Sequence, residues 1–295
     1  SEPRTKKEGI VQDLNRLSNN SAISQCRKLN LPLDASAKVV GPRLLHGSQF
    51  GYIDPLDTPD GGSIGLHKHL AISTLISTKV PSIEIKKWLL KNCKDIKFLS
   101  ELSIKNLSKS IKIFLNGSLM ATTDEPQLLI YTFKLHRRLA LIPYSVSISW
   151  NIEEYSIEIF SDSGRLMRPL FYVEDYSNKR VVSYERNNIN TIIISDKFKW
   201  HNLISGFNDN KKNIKINKKD FYSLSELYDK SFKELEKDKG IIDYVDLNEE
   251  NRSLISLDVE DFNNTNHTHM EIHPSLMLGV LGNQVIFIPN NQSVR

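Results

Sequence analysis

Cysteine is scarce. The 295 residues hold two, Cys26 and Cys93, far apart and neither in a C-x-x-C pair, so neither a disulfide framework nor a cysteine-rich zinc site is expected. No secretory leader and no long apolar run is present, which points to a reduced, intracellular chain with no membrane partner. N-x-[ST] matches such as Asn106 and Asn116 then carry no glycosylation meaning and reflect a Lys-, Asn- and Ile-rich composition. Also missing are a Walker loop, a G-x-G-x-x-G, a nucleophile elbow and any internal repeat. Adjacent carboxylates exist, Glu153 with Glu154 and Glu249 with Glu250, but no pattern around them marks a catalytic pair. No catalytic residue and no metal ligand is assigned.

What is present suits a folded chain. A hydrophobic fraction of 39% supports packed cores in one large or two to three small domains. A formal net charge of +4 is compatible with a phosphate-rich partner, but far from the excess of a nucleic-acid coat.

The pattern along the chain predicts an α+β protein with mixed helices and short antiparallel sheets. From Ile10 to Leu29 apolar residues fall near helical spacing with a break around Asn19 to Ser21, predicting two short helices joined at that Asn-Asn-Ser turn. Pro32 to Pro42 reads as a loop. The following run of Pro55, Pro59, Gly61, Gly62 and Gly65 reads as a rigid irregular loop suited to close approach. Helices are expected at Glu84 to Asn92 and Glu125 to Leu139, and a hairpin from Ile111 to Met120 around Asn116-Gly117. Ser156 to Phe160 and Leu166 to Glu174 flank Asp162, Ser163 and Gly164, predicting a second hairpin or a tight strand connection. Further on come a β-branched run at Thr191 to Ile194, a lysine-rich loop at Lys211 to Lys219, and a helix from Ser223 to Lys237 opened by a Ser223/Glu226 capping box. A strand follows at Ile241 to Val245, and Asp261 to His269 reads as a polar linker. The lysine-rich loop lacks the interleaved aromatics of a single-strand binder and reads as solvated.

Five blocks, in order, carry a resemblance to a known family. EGIVQDLNRLSNNSAISQCRKLN (8–30), GPRLLHGSQFGYIDPLDTPDGGSIGLHKHLAI (41–72), IEIFSDSGRLMRPLFYVED (157–175), GIIDYVDLNEENRSLISL (240–257) and MEIHPSLMLGVLGNQVIFIPNNQSVR (270–295) resemble successive elements of the second-largest, β-like subunit of multisubunit RNA polymerases. Departures from the family pattern are Asp54 for a cysteine, Asp57 and Asp60 for glutamates, and Val294 for a proline. The resemblance implies a fork region at 1–80, two external modules at 81–185 and 186–262, and the start of the hybrid-binding domain at 263–295. Because the chain starts without methionine and stops inside a motif, a piece of a longer polypeptide is expected.

The same resemblance implies roles. Arg295, closing the Asn-Gln-Ser-x-Arg pattern, would hold the triphosphate of the incoming nucleotide through its two-pronged guanidinium. Asn291 and Gln292 would fix that loop or face nucleic acid. Arg16, Arg27, Lys28, Lys38 and Arg43 are candidate phosphate contacts beside the RNA–DNA hybrid and the downstream duplex. Asp57, Thr58, Pro59, Asp60 and Gly61 form an active-centre loop whose carboxylates are read as caps. His267, His269 and His273 tempt a zinc reading, yet the family pattern makes His269 and His273 a structural entry to the next domain. Implied partners are the largest and the smaller polymerase subunits, the DNA template, the RNA–DNA hybrid and nucleoside triphosphates. Mg2+ would be held mainly by the largest subunit. The whole enzyme would join the RNA 3′-hydroxyl to the nucleotide α-phosphate and release pyrophosphate, in the nucleus or, for a viral protein, in a viral factory or virion. The isolated chain is expected to be inactive. The alternative reading is a free-standing nucleic-acid-binding or assembly module.

Overall fold

A computed structural model describes residues 11–176 except 37, 94, 104–106 and 108–109, together with 179–183, 200–205, 239–259 and 266–291. The run at Thr191 to Ile194, the loop at Lys211 to Lys219 and the helix expected at Ser223 to Lys237 lie outside the described residues, as do Gln292 and Arg295. The chain forms two units, one from residues 1–75 and 273–295, the other from 76–272.

In the first unit the expected pair of helices is a single one, α1 (Asn19–Cys26). Asn19 to Ser21, read as the break, is its first turn. The reason is a cap: the Ser18 side chain accepts from the Ser21 backbone N–H, and the Ser21 hydroxyl accepts from the Ser18 N–H, so two orphan donors of the helix start are satisfied reciprocally. Asparagine and serine favour helix starts as much as turns. Strand β1 (Lys28–Asn30) follows and pairs antiparallel with β2 (His67–His69), Lys28 opposite His69 and Asn30 opposite His67. Between them the proline- and glycine-rich run is irregular apart from single 3-10 turns.

The second unit holds two sheets. Helix α2 (Ser82–Asn92) precedes a five-stranded sheet of β3 (Lys97–Phe98), β4 (Ile111–Leu115), β5 (Ser118–Thr123), β6 (Ser147–Asn151) and β7 (Ser156–Phe160), in the order β3-β5-β4-β7-β6. The β4–β5 hairpin turns on Asn116 and Gly117, with φ of 49° and 78°. Positive φ at both central residues is what a two-residue hairpin needs to match strand twist, hence Asn-Gly. Helix α3 (Pro126–Arg138) lies over the sheet with α2. Ile85, Trp88 and Leu89 from α2 and Leu129 and Phe133 from α3 meet Ile113, Leu115, Ala121, Ile148, Ile157 and Ile159 from the strands, all buried. Trp88 and Phe133 pack edge to face with centroids 5.1 Å apart.

Of the two outcomes open for Asp162 to Gly164, hairpin or tight strand connection, the structure has the second. β7 pairs with β4 and β6, whereas β8 (Leu166–Tyr176) belongs to the other sheet, where it pairs with β9 (Lys179–Val182), β10 (Ile242–Asp246) and β12 (His269–Met270). The tight connection therefore carries the chain from one sheet to the next. Two short helices, α4 (Trp200–Ser205) and α5 (Leu247–Glu250), flank β10 along the chain, and β11 (Ile255–Ser256) runs parallel to β12. The expected linker ends early: His269, assigned to it, is a buried strand residue.

The last turn of α3 brings charge into this interior. Arg137 makes a bidentate pair with Glu249, 2.9 Å on each side. Arg138 donates to Asp243 at 2.7 Å, reaches Glu174 at 3.3 Å, and lies 3.4 Å from the centre of the Tyr172 ring. Lys134 adds to Glu249 and Lys239 to Glu174. Arg168 bridges Glu250 at 2.7 Å and Glu271 at 2.5 Å, and Arg165 holds Asp246 at 2.7 Å. Asp246 also caps α5 by accepting from the Glu249 N–H. Burial alone would raise the Asp243 pKa, but Arg138 and Arg137 outweigh it and hold the carboxyl well below the usual range.

Two predictions follow from this interior. Asp243→Asn leaves Arg137 and Arg138 without a shared counter-charge, and thermal or denaturant unfolding should show a loss of about 3–5 kcal/mol. The second concerns acid. Burial pushes the imidazoles of His136 and His269 down to about 4 and about 3, below the roughly 6.5 of an unfolded chain. His136 is held neutral because its Nδ1 accepts the Trp88 indole N–H at 2.6 Å. As pH falls from 6.5 towards 4 the unfolded chain takes up protons that the folded one refuses, so these two groups remove stability at up to about 2.7 kcal/mol per pH unit. Unfolding measured from pH 7 to 4.5 should lose about one proton's worth of that slope in His136→Gln.

Candidate nucleic-acid and nucleotide interface

The candidate residues described belong to the first unit, where side chains fix an irregular backbone. Arg43 donates from Nε to the Val39 carbonyl at 3.2 Å, from Nη1 to Gly62 and Ile64 at 2.7 and 2.9 Å, and from Nη2 to Ala35 at 3.0 Å. Four carbonyls from two loop segments thus converge on one guanidinium. Gly65 lies against the same residue, its φ +73°; a Cβ there would sit 2.4 Å from the Arg43 carbonyl oxygen, so only glycine fits. Arg27 acts likewise, Nη2 donating to Ala71 at 2.6 Å and Thr74 at 3.1 Å. Sequence reading grouped both arginines with the phosphate contacts, and the structure gives their donors to the fold's own carbonyls. Arg16 and Lys38 are exposed, and Lys28 is partly exposed on β1.

In the loop itself, Asp60 caps a 3-10 turn by accepting from the Gly61 N–H at 2.8 Å, and the Thr58 hydroxyl accepts from the Gly65 N–H at 2.8 Å. Gly61 has φ +78°. Asp57 is partly buried, with Oδ2 3.2 Å and its carbonyl oxygen 3.1 Å from His69 Nδ1. Burial raises the Asp57 pKa, with His69 opposing and Asp54 adding to the rise. Asn291 is exposed, and its amide donates to the carbonyls of Ile286 and Phe287 at 3.0 and 3.1 Å, tying down the backbone just before the Asn-Gln-Ser-Val-Arg motif.

Asp54 joins these pieces, and sequence reading saw it only as a departure from a family cysteine. It is buried. Oδ1 accepts from the Leu56 and Asp57 N–H groups at 2.9 and 3.3 Å, and Oδ2 from the Gly279 N–H at 2.5 Å. A Cβ at Gly279 or Gly282 would come within 2.9 or 2.8 Å of that oxygen, so the two glycines of the L-G-V-L-G segment admit the carboxylate. The spacing of those glycines opposite a lone aspartate was the available signal. A cysteine has no second acceptor to bridge both segments.

Of the three histidines weighed for zinc, His273 caps a 3-10 turn through the Ser275 N–H at 3.1 Å, and His269 is buried with Nδ1 2.9 Å from the Thr268 hydroxyl. Among the described residues no group of three or more His, Cys, Asp or Glu side chains is placed to hold a metal ion. Glu249 and Glu250 serve separate arginines, Arg137 and Arg168. Glu153 and Glu154 are exposed on a turn.

Removing the Asp54 carboxylate should release the 273–285 segment. Asp54→Ala orphans buried N–H groups at about 1–3 kcal/mol each, and limited proteolysis should cut near Leu278 to Gln284 faster than in the parent. Gly282→Ala should act in the same direction.

Comparison with known proteins matches three consecutive families along the chain: RNA polymerase Rpb2 domain 3 at residues 12–76, domain 4 at 113–174 and domain 5 at 232–274. The chain is 31% identical over 303 residues to DNA-directed RNA polymerase II subunit 2 of Arabidopsis thaliana, covering 97% of this chain and 22% of that protein. It is also 31% identical over 296 residues to the polymerase II subunit RPB2 of Encephalitozoon cuniculi, with the same coverage. To the polymerase III subunit RPC2 of Drosophila melanogaster it is 31% identical over 293 residues, 99% of this chain and 22% of the relative. It thus spans about a fifth of the length of these relatives. Three domain models in their natural order, with near-complete coverage by such relatives, identify the chain as a member of the second-largest-subunit (Rpb2) family of DNA-directed RNA polymerases, matching the central part of that subunit.

Proposed function

We propose that the chain serves template-directed RNA synthesis as the central part of a polymerase's second-largest subunit, holding loops of the first unit against nucleic acid and presenting Arg295 to the incoming nucleotide. The observation that carries this reading is the colinear run of Rpb2 domains 3, 4 and 5 along one chain. Its geometry is suited to the task. Arg43, Arg27 and Asp54 clamp backbone that has almost no regular structure, and a clamped loop meets a ligand without first losing conformational entropy.

Within this reading the exposed cations Arg16 and Lys38, with Lys28 on β1, are the groups that meet phosphate, adding affinity without reading sequence. Arg43 and Arg27 are positioning residues that set the loop. Arg295 neutralises charge on the triphosphate as the RNA 3′-hydroxyl displaces pyrophosphate from the α-phosphate. The domain boundaries are those of a fork at 1–80, external modules at 81–185 and 186–262, and a hybrid-binding domain from 263. Mg2+ is a cofactor of the reaction held mainly by the largest subunit. Partners are that subunit, the smaller subunits, template DNA, the RNA–DNA hybrid and nucleoside triphosphates, in the nucleus. The colinear match does not favour a free-standing binding module.

In the assembled polymerase, Arg295→Ala should lower kcat/KM for nucleotide addition at least tenfold, about 1.4 kcal/mol of lost stabilisation. Equal kinetics for parent and variant would remove Arg295 from the triphosphate. Lys38→Gln should weaken binding of an RNA–DNA hybrid and reduce its salt dependence by about one counterion. The isolated 295 residues should make no RNA on a primed template.

A further inference from the structure

One face of the β1–β2 pair collects a lysine, an asparagine and two histidines. Cross-strand partners in an antiparallel pair share a face, so the register puts Lys28 beside His69 and Asn30 beside His67. His67 and His69, two apart on one strand, share that face as well. Each ring is held from behind. The His67 Nδ1 is 2.7 Å from the Asn30 amide oxygen. The His69 Nδ1 is 3.1 Å from the Asp57 carbonyl oxygen and 3.2 Å from the Asp57 carboxylate. Those partners are acceptors, so Nδ1 carries the proton in both neutral rings and Nε2 presents a bare lone pair. Among the described residues no hydrogen bond to either Nε2 is found. Lys68, between them, belongs to the other face, its ammonium donating to the Leu44 carbonyl and the Gln49 side chain at 3.2 and 3.1 Å.

The charges facing this pair are the Lys28 ammonium and the Asp57 carboxylate, with Asp54 acting on Asp57 from the same loop. Without ligand the nearby Lys28 cation discourages protonation of His67. Burial and then Lys28 and His69 hold the His67 pKa below its ordinary value. A phosphate diester brought to the face changes the balance. It neutralises Lys28 and offers an acceptor to Nε2, so that ring takes a proton from solution, becomes a double donor, and gains a charge-assisted bond.

We propose that Lys28, His67 and His69 form a phosphate contact for the backbone of a bound RNA–DNA hybrid, proton-linked at His67, with Asn30 fixing the His67 tautomer so that its Nε2 is the nitrogen that gains the proton and Asp57 holding His69 beside it. His67 and Lys28 make the contact, and His69, whose side chain is 12% exposed, supports it through Asp57. The contact rests on the polymerase reading above and adds His67 and His69 to the Lys28 phosphate contact of that reading. Its consequence is that affinity for the hybrid rises as pH falls through the imidazole range, by one proton taken up per complex, up to a tenfold change per pH unit.

The test uses the full-length subunit in its assembled polymerase and a short fluorescent RNA–DNA hybrid as probe. Binding is measured from pH 8 to pH 6 at fixed ionic strength, and calorimetry at pH 7 in buffers of different ionisation enthalpy counts the protons taken up. The expected result is a threefold to tenfold rise in affinity across that range, with most of a proton taken up, both reduced at least by half in His67→Gln. Lys28→Gln should weaken binding severalfold at every pH. A parent-like proton count and pH profile in both His67→Gln and His69→Asn would overturn the proton-linked contact while hybrid binding itself still stood. Failure of the parent assembly to bind hybrid at any pH would overturn the polymerase reading, and this contact with it.

Discussion

Six cations and six anions are brought together where the end of α3 meets β8, β10 and α5, and the second unit depends on their mutual compensation. Lys134, Arg137, Arg138, Arg165, Arg168 and Lys239 answer Glu174, Asp243, Asp246, Glu249, Glu250 and Glu271. Removing an ion from water costs several kcal/mol, returned only when partners and hydrogen bonds are all in place. Loss of one partner leaves an uncompensated buried charge. The bidentate Arg137–Glu249 pair sets how α3 meets α5, and Arg138, shared by Asp243, Glu174 and the Tyr172 ring, sets how it meets the β8–β10 ladder. Apolar packing under Trp88 and Phe133 supplies most of the driving force and little of this orientation, because it is not directional.

The first unit solves a different problem with related chemistry. Its long irregular stretch has few ladder bonds to occupy its carbonyls and N–H groups, and buried backbone polar groups need partners. Arg43 and Arg27 gather carbonyls, and Asp54 gathers N–H groups from two distant segments. Prolines and glycines permit the path, but these three side chains hold it. Loops clamped from within leave Arg16 and Lys38 exposed and Lys28 and the two histidines of β2 partly exposed.

Much of the fold was legible locally. The Asn116-Gly117 hairpin and the helices at Ser82–Asn92 and Pro126–Arg138 were readable because turn chemistry and apolar spacing act within a few residues. Two readings failed, one at a local cap and one at a distant strand, and a third had left hairpin and tight connection open. Asn19 to Ser21 fit a turn or a helix start equally, and the Ser18–Ser21 cap decided. The Asp162 to Gly164 connection has hairpin composition, yet β8 finds its partners at β10 and β12, about 75 and 100 residues on. His269 looked like linker because its neighbours are polar, and β8 pulled it into a sheet. In the candidate site, charge type was readable but not its use. Arg27 and Arg43 differ from Arg16 only in what surrounds them.

By itself the sequence determined the α+β class, the order of most elements and the family, since five colinear blocks survive as strings of residues. Which strands share a sheet, which arginines are struts, and which side chains of β1 and β2 share a face were decided only by tertiary structure. The physical reason is range. Helix caps, hairpin turns and motif spacing are set by neighbours in the chain, whereas compensation of a buried charge or an orphaned carbonyl depends on a partner that folding brings from far away.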